Sequence, residues 1–356
     1  MMRLRYLLIA FLGLLLSAQS TFCQTDSPRE LRARARALTL ADLSEQMEQA
    51  NQFGDNESRV IVGLGLQILA DRMSYDASDH ARDMNKLAAS WYREAAQKGY
   101  APAQYFLADE LFQHIGIVGY SWDSDCDQAV SWLNKAVAQD YVPAIALKGW
   151  LHMEGPCKMA DGLGVELLKK AAERGDARAC YWLGELHYHQ GTTELIGEAE
   201  AVEYYIKGAQ LGDPDSQTMV GGWVLEASGA VPDGSKDVPK GFEELLGVRS
   251  SVAGALEWLQ KAAEQGNRAG ACGLAGIYGE GWGVPKDYVT SLMWGLIADQ
   301  HPAEIGCLSE LPRLEGMTPE QNSEAIQRAS AWLKAHDFPT IPPQYLKLYN
   351  EPPKVE

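Results

Sequence analysis

The sequence has few of the features that indicate catalysis or nucleic-acid binding. It contains no Gly-x-Ser-x-Gly, Ser-x-x-Lys or His-Glu-x-x-His motif and no phosphate-binding glycine loop, so no common catalytic class is indicated. Positive charge is scarce, since 31 lysines and arginines stand against 48 acidic residues and leave a net charge of −17. Because such a chain repels phosphate, we exclude a nucleic-acid partner.

Long apolar runs are confined to the N-terminus. The run Leu7–Leu16 is too short to span a bilayer comfortably. It follows two arginines and precedes Ala18 and Ser20, an arrangement typical of a secretory signal that is cleaved after Ser20. We therefore predict that residues 1–20 are a signal peptide and that the mature protein is periplasmic, with no membrane span. Removing two arginines and no acids changes the net charge from −17 to −19.

A phrase of nine residues recurs along the chain, most clearly from Trp91 to Gly99 and from Trp258 to Gly266. A fixed period of about 35 residues with insertions predicts a solenoid, in which each unit buries its apolar face against its neighbours. A glycine suits the end of each phrase because it enters the left-handed region at a helix C-terminus without a Cβ clash. These end positions, which we call markers, are Gly54, Gly99, Asp140, Gly175, Gly212 and Gly266, with His301 in the next slot.

Small residues follow each marker at constant offsets. Ala103, Ala144 and Ala179 lie four residues after their markers, and Gly184 and Gly221 lie nine residues after theirs. Such residues allow two helices to approach closely at two points. Each unit is therefore predicted to be a helix A, a turn, and a helix B that carries the repeated phrase.

Two stretches carry a resemblance to a known family. Leu183–Leu186 and Leu274–Asp287, each followed by a helix B, resemble the Sel-one-like repeat (SLR), a relative of the tetratricopeptide repeat. Met317–Gln321 and the helix after it resemble the cap of such arrays, and Thr318 and Gln321 have the spacing of a capping box. The resemblance implies an all-α fold: an α/α superhelical solenoid of about six helix-turn-helix repeats with a C-terminal capping helix.

The chain divides into four predicted segments. They are the signal peptide (1–20), an N-terminal linker or helix (21–39), the repeat solenoid with its capping helix (40–336), and a Pro-rich C-terminal tail (337–356).

Aromatic residues on helix A are the predicted partner-binding anchors. In SLR arrays helix A lines the concave side, and Trp and Tyr dominate interface hot spots. Packing between repeats is the alternative interpretation of the same residues. The proposed anchors are Trp150, Trp182, Trp223 and Phe106, whereas Trp91, Trp132, Trp258 and Trp294 are assigned to one structural slot of helix B.

Six cysteines are present, and an exported protein can pair them. We predict a disulfide between Cys126 and Cys157, which are placed in the A–B turns of adjacent units. Cys180 and Cys272 lie among small packing residues of helix A and are predicted to be buried thiols.

Two sets of residues could be metal ligands, but each has a simpler interpretation. His152, His187 and His189 could share a surface, but Tyr278 fills the same slot elsewhere, which favours packing. Alternating aspartates at 123, 125 and 127 resemble the start of a calcium loop that lacks its glycine and distal glutamate, which favours a solvated turn. No metal or other cofactor is therefore expected.

The resemblance implies a non-catalytic protein that binds another protein in the bacterial envelope. It acts either as a scaffold or adaptor, or as an immunity protein that neutralises a secreted toxin or effector. The inserts Gly116–Asp125 and Ser228–Val252 are predicted surface loops that could contribute to binding. The alternative is an enzyme that acts on a β-lactam or on cell-wall material.

Overall fold

The computed structural model describes most of the chain and shows the all-α architecture that the sequence predicts. The described residues are 27–38, 40–71, 78–113, 122–154, 163–188, 196–232, 238–247, 249–299, 307, 317–336, 338 and 341. Within them there are sixteen helices and no strand. The helices are α1 (Pro28–Arg36), α2 (Leu40–Phe53), α3 (Asn56–Asp71), α4 (Ser78–Gln97), α5 (Ala101–Gln113), α6 (Trp122–Ala138), α7 (Val142–Glu154), α8 (Gly164–Glu173), α9 (Ala177–Tyr188), α10 (Glu198–Leu211), α11 (Pro214–Ala227), α12 (Phe242–Leu246), α13 (Val252–Glu264), α14 (Arg268–Glu280), α15 (Tyr288–Ala298) and α16 (Pro319–Ala335).

The chain forms two compact units. Unit 1 comprises Met1–Asp71 and Asp79–Pro143, and unit 2 comprises Arg72–Ser78 and Ala144–Glu356. Each contains helix pairs of the predicted kind. No helix in the described part of the chain is both long enough and apolar enough to cross a membrane.

The six markers from Gly54 to Gly266 follow the B helices as predicted, and the next helix A begins two residues after each marker. Asp140 has a φ of 59° and is the one non-glycine residue with positive φ among the described residues. Asp176, Asp213 and Asn267, each directly after a marker glycine, accept a backbone N–H three residues on, at 2.8 Å in each case. This pairing of a marker glycine with an N-capping side chain is a further sequence signal of where helix A begins.

The small residues nine positions after the markers allow the predicted close approach of helices A and B. A Cβ added to Gly184 of α9 would lie 2.6 Å from the ring of Tyr205 on α10, which is fully buried. In this repeat and three others the opposing side chain lies seven residues before the next marker. The equivalent pairs are Gly63 with Tyr92, Gly149 with Leu168, and Gly221 with Leu259.

Paired glutamines connect successive repeats within each unit. In unit 1, Gln104 donates to the carbonyl of Ala96 at 3.1 Å and accepts from Gln139 at 2.8 Å. In unit 2, Gln217 donates to the carbonyl of Ala209 at 3.2 Å and accepts from Gln265 at 2.8 Å. Because Gln104 and Gln217 are almost completely buried, these bonds satisfy amides that would otherwise be costly inside the protein.

Three of the four tryptophans assigned to one slot of helix B share it, eight residues before their markers, and pack against a core. Trp91 is buried, but Trp132 and Trp258 are only half-buried, and a lysine Nζ lies over the ring of each, at 3.7 Å for Lys135 and 4.8 Å for Lys261. Trp294 lies in a different register, because α15 ends before Asp299 rather than at the assumed marker His301.

Both ends of the array carry an extra helix. The segment predicted as a linker or helix forms α1, which packs on α3 and buries Leu31 completely. At the other end, α16 begins with the predicted capping box of Thr318 and Gln321 and packs on α15.

The insert Ser228–Val252 is not simply a surface loop. It contains the short helix α12, whose Phe242 is 1% exposed and belongs to the core of unit 2. Most of the other predicted insert, Gly116–Asp125, lies outside the described residues; its last four residues begin α6.

Candidate functional site

Two of the four predicted anchors form a stacked pair in unit 2. Trp150 lies on α7 and Trp182 on α9, which are the A helices of successive repeats. Their ring centroids are 5.4 Å apart and their planes differ by 11°. Both side chains are half-buried, so part of each indole is accessible to solvent. Rigid helices thus present two parallel indoles side by side.

Two further aromatic residues of α9, which were not among the predicted anchors, pack against Tyr205. Tyr181 and Tyr188 flank the Tyr205 ring, with centroid separations of 6.0 and 6.2 Å. Tyr188 is 51% exposed, whereas Tyr205 is fully buried and donates its hydroxyl hydrogen bond to the carboxylate of Glu185. Burial, followed by nearby acidic charge, raises the pKa of Tyr181 and Tyr188, so both remain neutral hydrogen-bond donors at neutral pH.

Trp223, a predicted anchor, is part of the core instead. It is 6% exposed and lies between Tyr205 and Phe242, whose ring centroids are 5.3 and 5.5 Å from its own. Both contacts are edge-on, with interplanar angles of 87° and 70°. The prediction failed because helix α12 of the insert covers a position that the repeat pattern alone would leave open.

Phe106, the fourth predicted anchor, is also in the core. It lies in unit 1, is 2% exposed, and stacks on Tyr92 with a centroid distance of 5.7 Å. The guanidinium of Arg32 on α1 lies 5.3 Å above its ring, and Arg32 also pairs with Asp109 at 3.5 Å. The N-terminal helix therefore covers this side chain.

A partly buried ionic network lies beside Tyr181 of α9. Nε of Arg178 lies 3.2 Å from Asp213, its Nη1 lies 2.5 Å from Asp215, and its guanidinium is 5.2 Å from the ring of Tyr181. Asn267 in turn donates to Asp215 at 2.7 Å. Burial raises the pKa of Asp213, and the charge of Arg178 opposes that increase. The network links the starts of three successive A helices and fixes the orientation of α9.

The candidate metal ligands that the structure describes lie in different settings. His152 is half-buried, the Nδ1–H of His187 donates to the carbonyl of Ile196 at 3.0 Å, and His189 lies outside the described residues. The three aspartates at 123, 125 and 127 belong to helix α6, not to a turn or loop. No group of three His, Cys, Asp or Glu side chains in the described ranges could hold a metal ion.

The cysteines differ in state. Cys126 is disulfide-bonded and lies in the first turns of α6, not in the predicted turn, while Cys157 lies outside the described residues, so their pairing stays a prediction. Cys180 is a fully buried thiol, as predicted, and burial raises its pKa to about 12. Cys272 is half-buried and reduced.

Comparison with known proteins identifies the repeats. Residues 68–100, 101–141, 149–176, 177–213, 241–267 and 269–298 match the Sel1 repeat. Among solved structures, the chain is similar to a Sel1 repeat protein from Oxalobacter formigenes, with 23% identity over 74% of this chain and 98% of the other and a TM-score of 0.44.

Two further structures are similar at lower identity. A protective antigen of uropathogenic Escherichia coli with an SLR fold has 20% identity over 88% of this chain and 68% of the other, with a TM-score of 0.38. An immunity protein from Pseudomonas aeruginosa has 17% identity over 75% and 80%, with a TM-score of 0.40. Because the six matching segments together cover more than half of its residues, the chain belongs to the Sel1 repeat family, whose members are generally non-catalytic scaffolds for protein–protein interaction.

Proposed function

We propose that this protein is an exported scaffold that binds a partner protein through the Trp150–Trp182 pair of unit 2. The observation that carries this proposal is the parallel stacking of two half-exposed indoles on neighbouring A helices. Large rigid aromatic side chains contribute most to interface affinity because they bury much area at little cost in conformational entropy. Tyr188, which is 51% exposed on the same helix as Trp182, offers a partner another aromatic ring and a hydroxyl donor.

The charge of the chain supports a basic partner. The net charge is −17 before removal of the predicted signal peptide, and a strongly acidic protein attracts a basic one over a distance of about 10 Å at ordinary ionic strength. Neutralisation of a basic secreted toxin is the specific form of this function that we propose. An acidic, exported binder without a recognised catalytic motif would suit that role.

The test compares two tryptophan variants with a matched control in affinity capture from envelope extract, with partners identified by mass spectrometry. Trp150→Ala and Trp182→Ala should each lower partner affinity by about 2 kcal/mol or more, which is roughly 30-fold. Trp258→Ala removes another half-buried tryptophan of unit 2, whose ring lies beneath Lys261, and should leave binding unchanged. Equal binding by all three variants, with folding verified by circular dichroism, would contradict the proposed site.

Export and toxin neutralisation need separate tests. N-terminal mass determination of protein from the cell envelope should show that the chain begins near residue 21, whereas an intact Met1 in cytoplasmic protein would contradict export. If the captured partner is a toxin, expression of this protein should protect cells from it, and Trp182→Ala should protect them less.

A further inference from the structure

Two cysteines meet beside the last repeat of unit 2. Cys272 lies on α14, and Cys307 follows α15 in the chain. Both side chains are half-buried and pack against the same apolar core. The two thiols interact with each other, and both are reduced in the structure.

The backbone also holds Cys307 in this place. Its N–H donates to Oδ1 of Asp299 at 2.9 Å, and the same oxygen lies 3.3 Å from Nη2 of Arg268. Arg268 and Cys272 are four residues apart on α14 and so lie on one face of that helix. Asp299 is 5% exposed, which shields both bonds from water. Asp299 thus binds both Arg268 of α14 and the backbone of Cys307. Because Cys272 lies one helical turn after Arg268 on α14, Asp299 positions Cys307 near Cys272.

We propose that Cys272 and Cys307 form a disulfide that ties α14 to the chain after α15 when the protein meets a disulfide oxidant. With oxidised glutathione, the thiolate of one cysteine attacks a glutathione sulfur and releases one reduced glutathione. The second cysteine then attacks the mixed disulfide and releases the other. The two cysteines together lose two protons and two electrons, and one glutathione disulfide becomes two thiols.

The local chemistry favours a lasting cross-link over a catalytic dithiol. The hydrogen bond with Cys272, together with burial, raises the pKa of the Cys307 thiol. A high pKa makes the Cys307 thiolate rare, so this thiol reacts slowly at neutral pH, and it makes the Cys307 sulfur a poor leaving group, so the formed disulfide resists reduction. We therefore expect the rate of closure to rise with pH and the product to persist.

Equilibration of the full mature chain in glutathione buffers tests this proposal. Samples with and without guanidinium are quenched with acid, alkylated, digested and analysed by mass spectrometry. The Cys272 and Cys307 peptides should be joined. The equilibrium constant for forming this disulfide should be about 30- to 1,000-fold larger in the folded chain than in the unfolded chain, which is the ratio expected for a cross-link that stabilises a fold. Cys180 serves as an internal control and should remain a thiol.

Three results decide the matter. Separate alkylation or separate glutathione adducts on Cys272 and Cys307 in the folded chain would overturn the proposal, as would a ratio near one. The variant Asp299→Ala should lower the ratio at least tenfold because it releases the backbone of Cys307, and an unchanged ratio would refute the positioning by Asp299. Since the main comparison uses the unmodified chain, it does not depend on whether any variant folds.

Discussion

Replacing Gly184 by alanine tests the packing rule on which the repeats depend. The new Cβ would lie 2.6 Å from Cε2 of Tyr205 and 2.7 Å from Cδ2. The ring cannot move away easily, because it is fully buried and Trp223 contacts it edge-on at 5.3 Å. Overpacking at such a site costs about 2–3 kcal/mol, whereas the change from glycine to alanine in a helix gains about 1 kcal/mol. We therefore expect Gly184→Ala to lower the free energy of unfolding by about 1–2 kcal/mol.

Gly222 provides the matched control. It lies within helix α11 of the same unit, and an added Cβ would meet no atom within 4 Å. Gly222→Ala should therefore raise the free energy of unfolding by about 0.5–1 kcal/mol, since only the gain in helix propensity remains. Urea denaturation followed by circular dichroism measures both variants. If Gly184→Ala were stabilised as much as Gly222→Ala, the close-packing argument would be refuted.

A double-mutant cycle locates the clash. Tyr205→Leu removes the ring and the hydroxyl bond to Glu185, and is destabilising by itself. Combined with Gly184→Ala it should cost less than the sum of the two single changes, with a coupling energy of about 1–2 kcal/mol. If the free-energy effects of the two changes were strictly additive, the clash would not lie between residues 184 and 205.

Three further predictions concern local features. Asp140→Gly should raise the free energy of unfolding by about 0.5–1 kcal/mol in urea titrations, because glycine adopts the left-handed φ of 59° without strain; a loss of stability would contradict this. Partial burial raises the pKa of Asp287, but hydrogen bonds from the hydroxyl and N–H of Thr290 outweigh that effect and hold the pKa below 3.8. The charged Asp287 cap therefore stabilises α15 above pH 3.8, and this stabilisation is lost as the pH falls through the lowered pKa. Asp287→Asn should therefore cost about 0.5 kcal/mol at pH 6 and less at pH 3 in paired urea titrations, while an equal cost at both would refute the assignment. Non-reducing peptide mapping should join the peptides of Cys126 and Cys157, and recovery of Cys157 as an alkylated thiol would exclude the pair.

Local repetition in the sequence predicts the helices and their closest contacts. The marker glycines and the small residues nine positions later predict where helices A and B approach, and Gly184 against Tyr205 confirms it. The same repetition places Trp258 in a helix-B slot, where it packs against the core of unit 2, but it does not reveal that the neighbouring Leu259 is the more deeply buried side chain.

Contacts between distant segments could not be predicted in the same way. Trp223 is buried by Phe242, which belongs to an insert whose turn-rich composition gave no indication of a helix. Phe106 is covered by Arg32 from a helix outside the repeat pattern. Of the four predicted anchors, only Trp150 and Trp182 are partly exposed, as a binding role requires. Their contact joins neighbouring repeats.

The paired glutamines restrict how this array could grow or be rebuilt. Gln104 and Gln217 each need a glutamine at the end of the next helix B, supplied by Gln139 and Gln265. A duplicated module whose two ends preserve that match would join its neighbours without loss. A module placed where the partner is absent would leave a buried amide oxygen without its donor, at a cost of about 1–3 kcal/mol. Repeats of this protein are therefore exchangeable only where both repeats at the new junction carry the paired glutamines. The boundaries of a designed fusion should keep the two glutamines of a pair in the same segment.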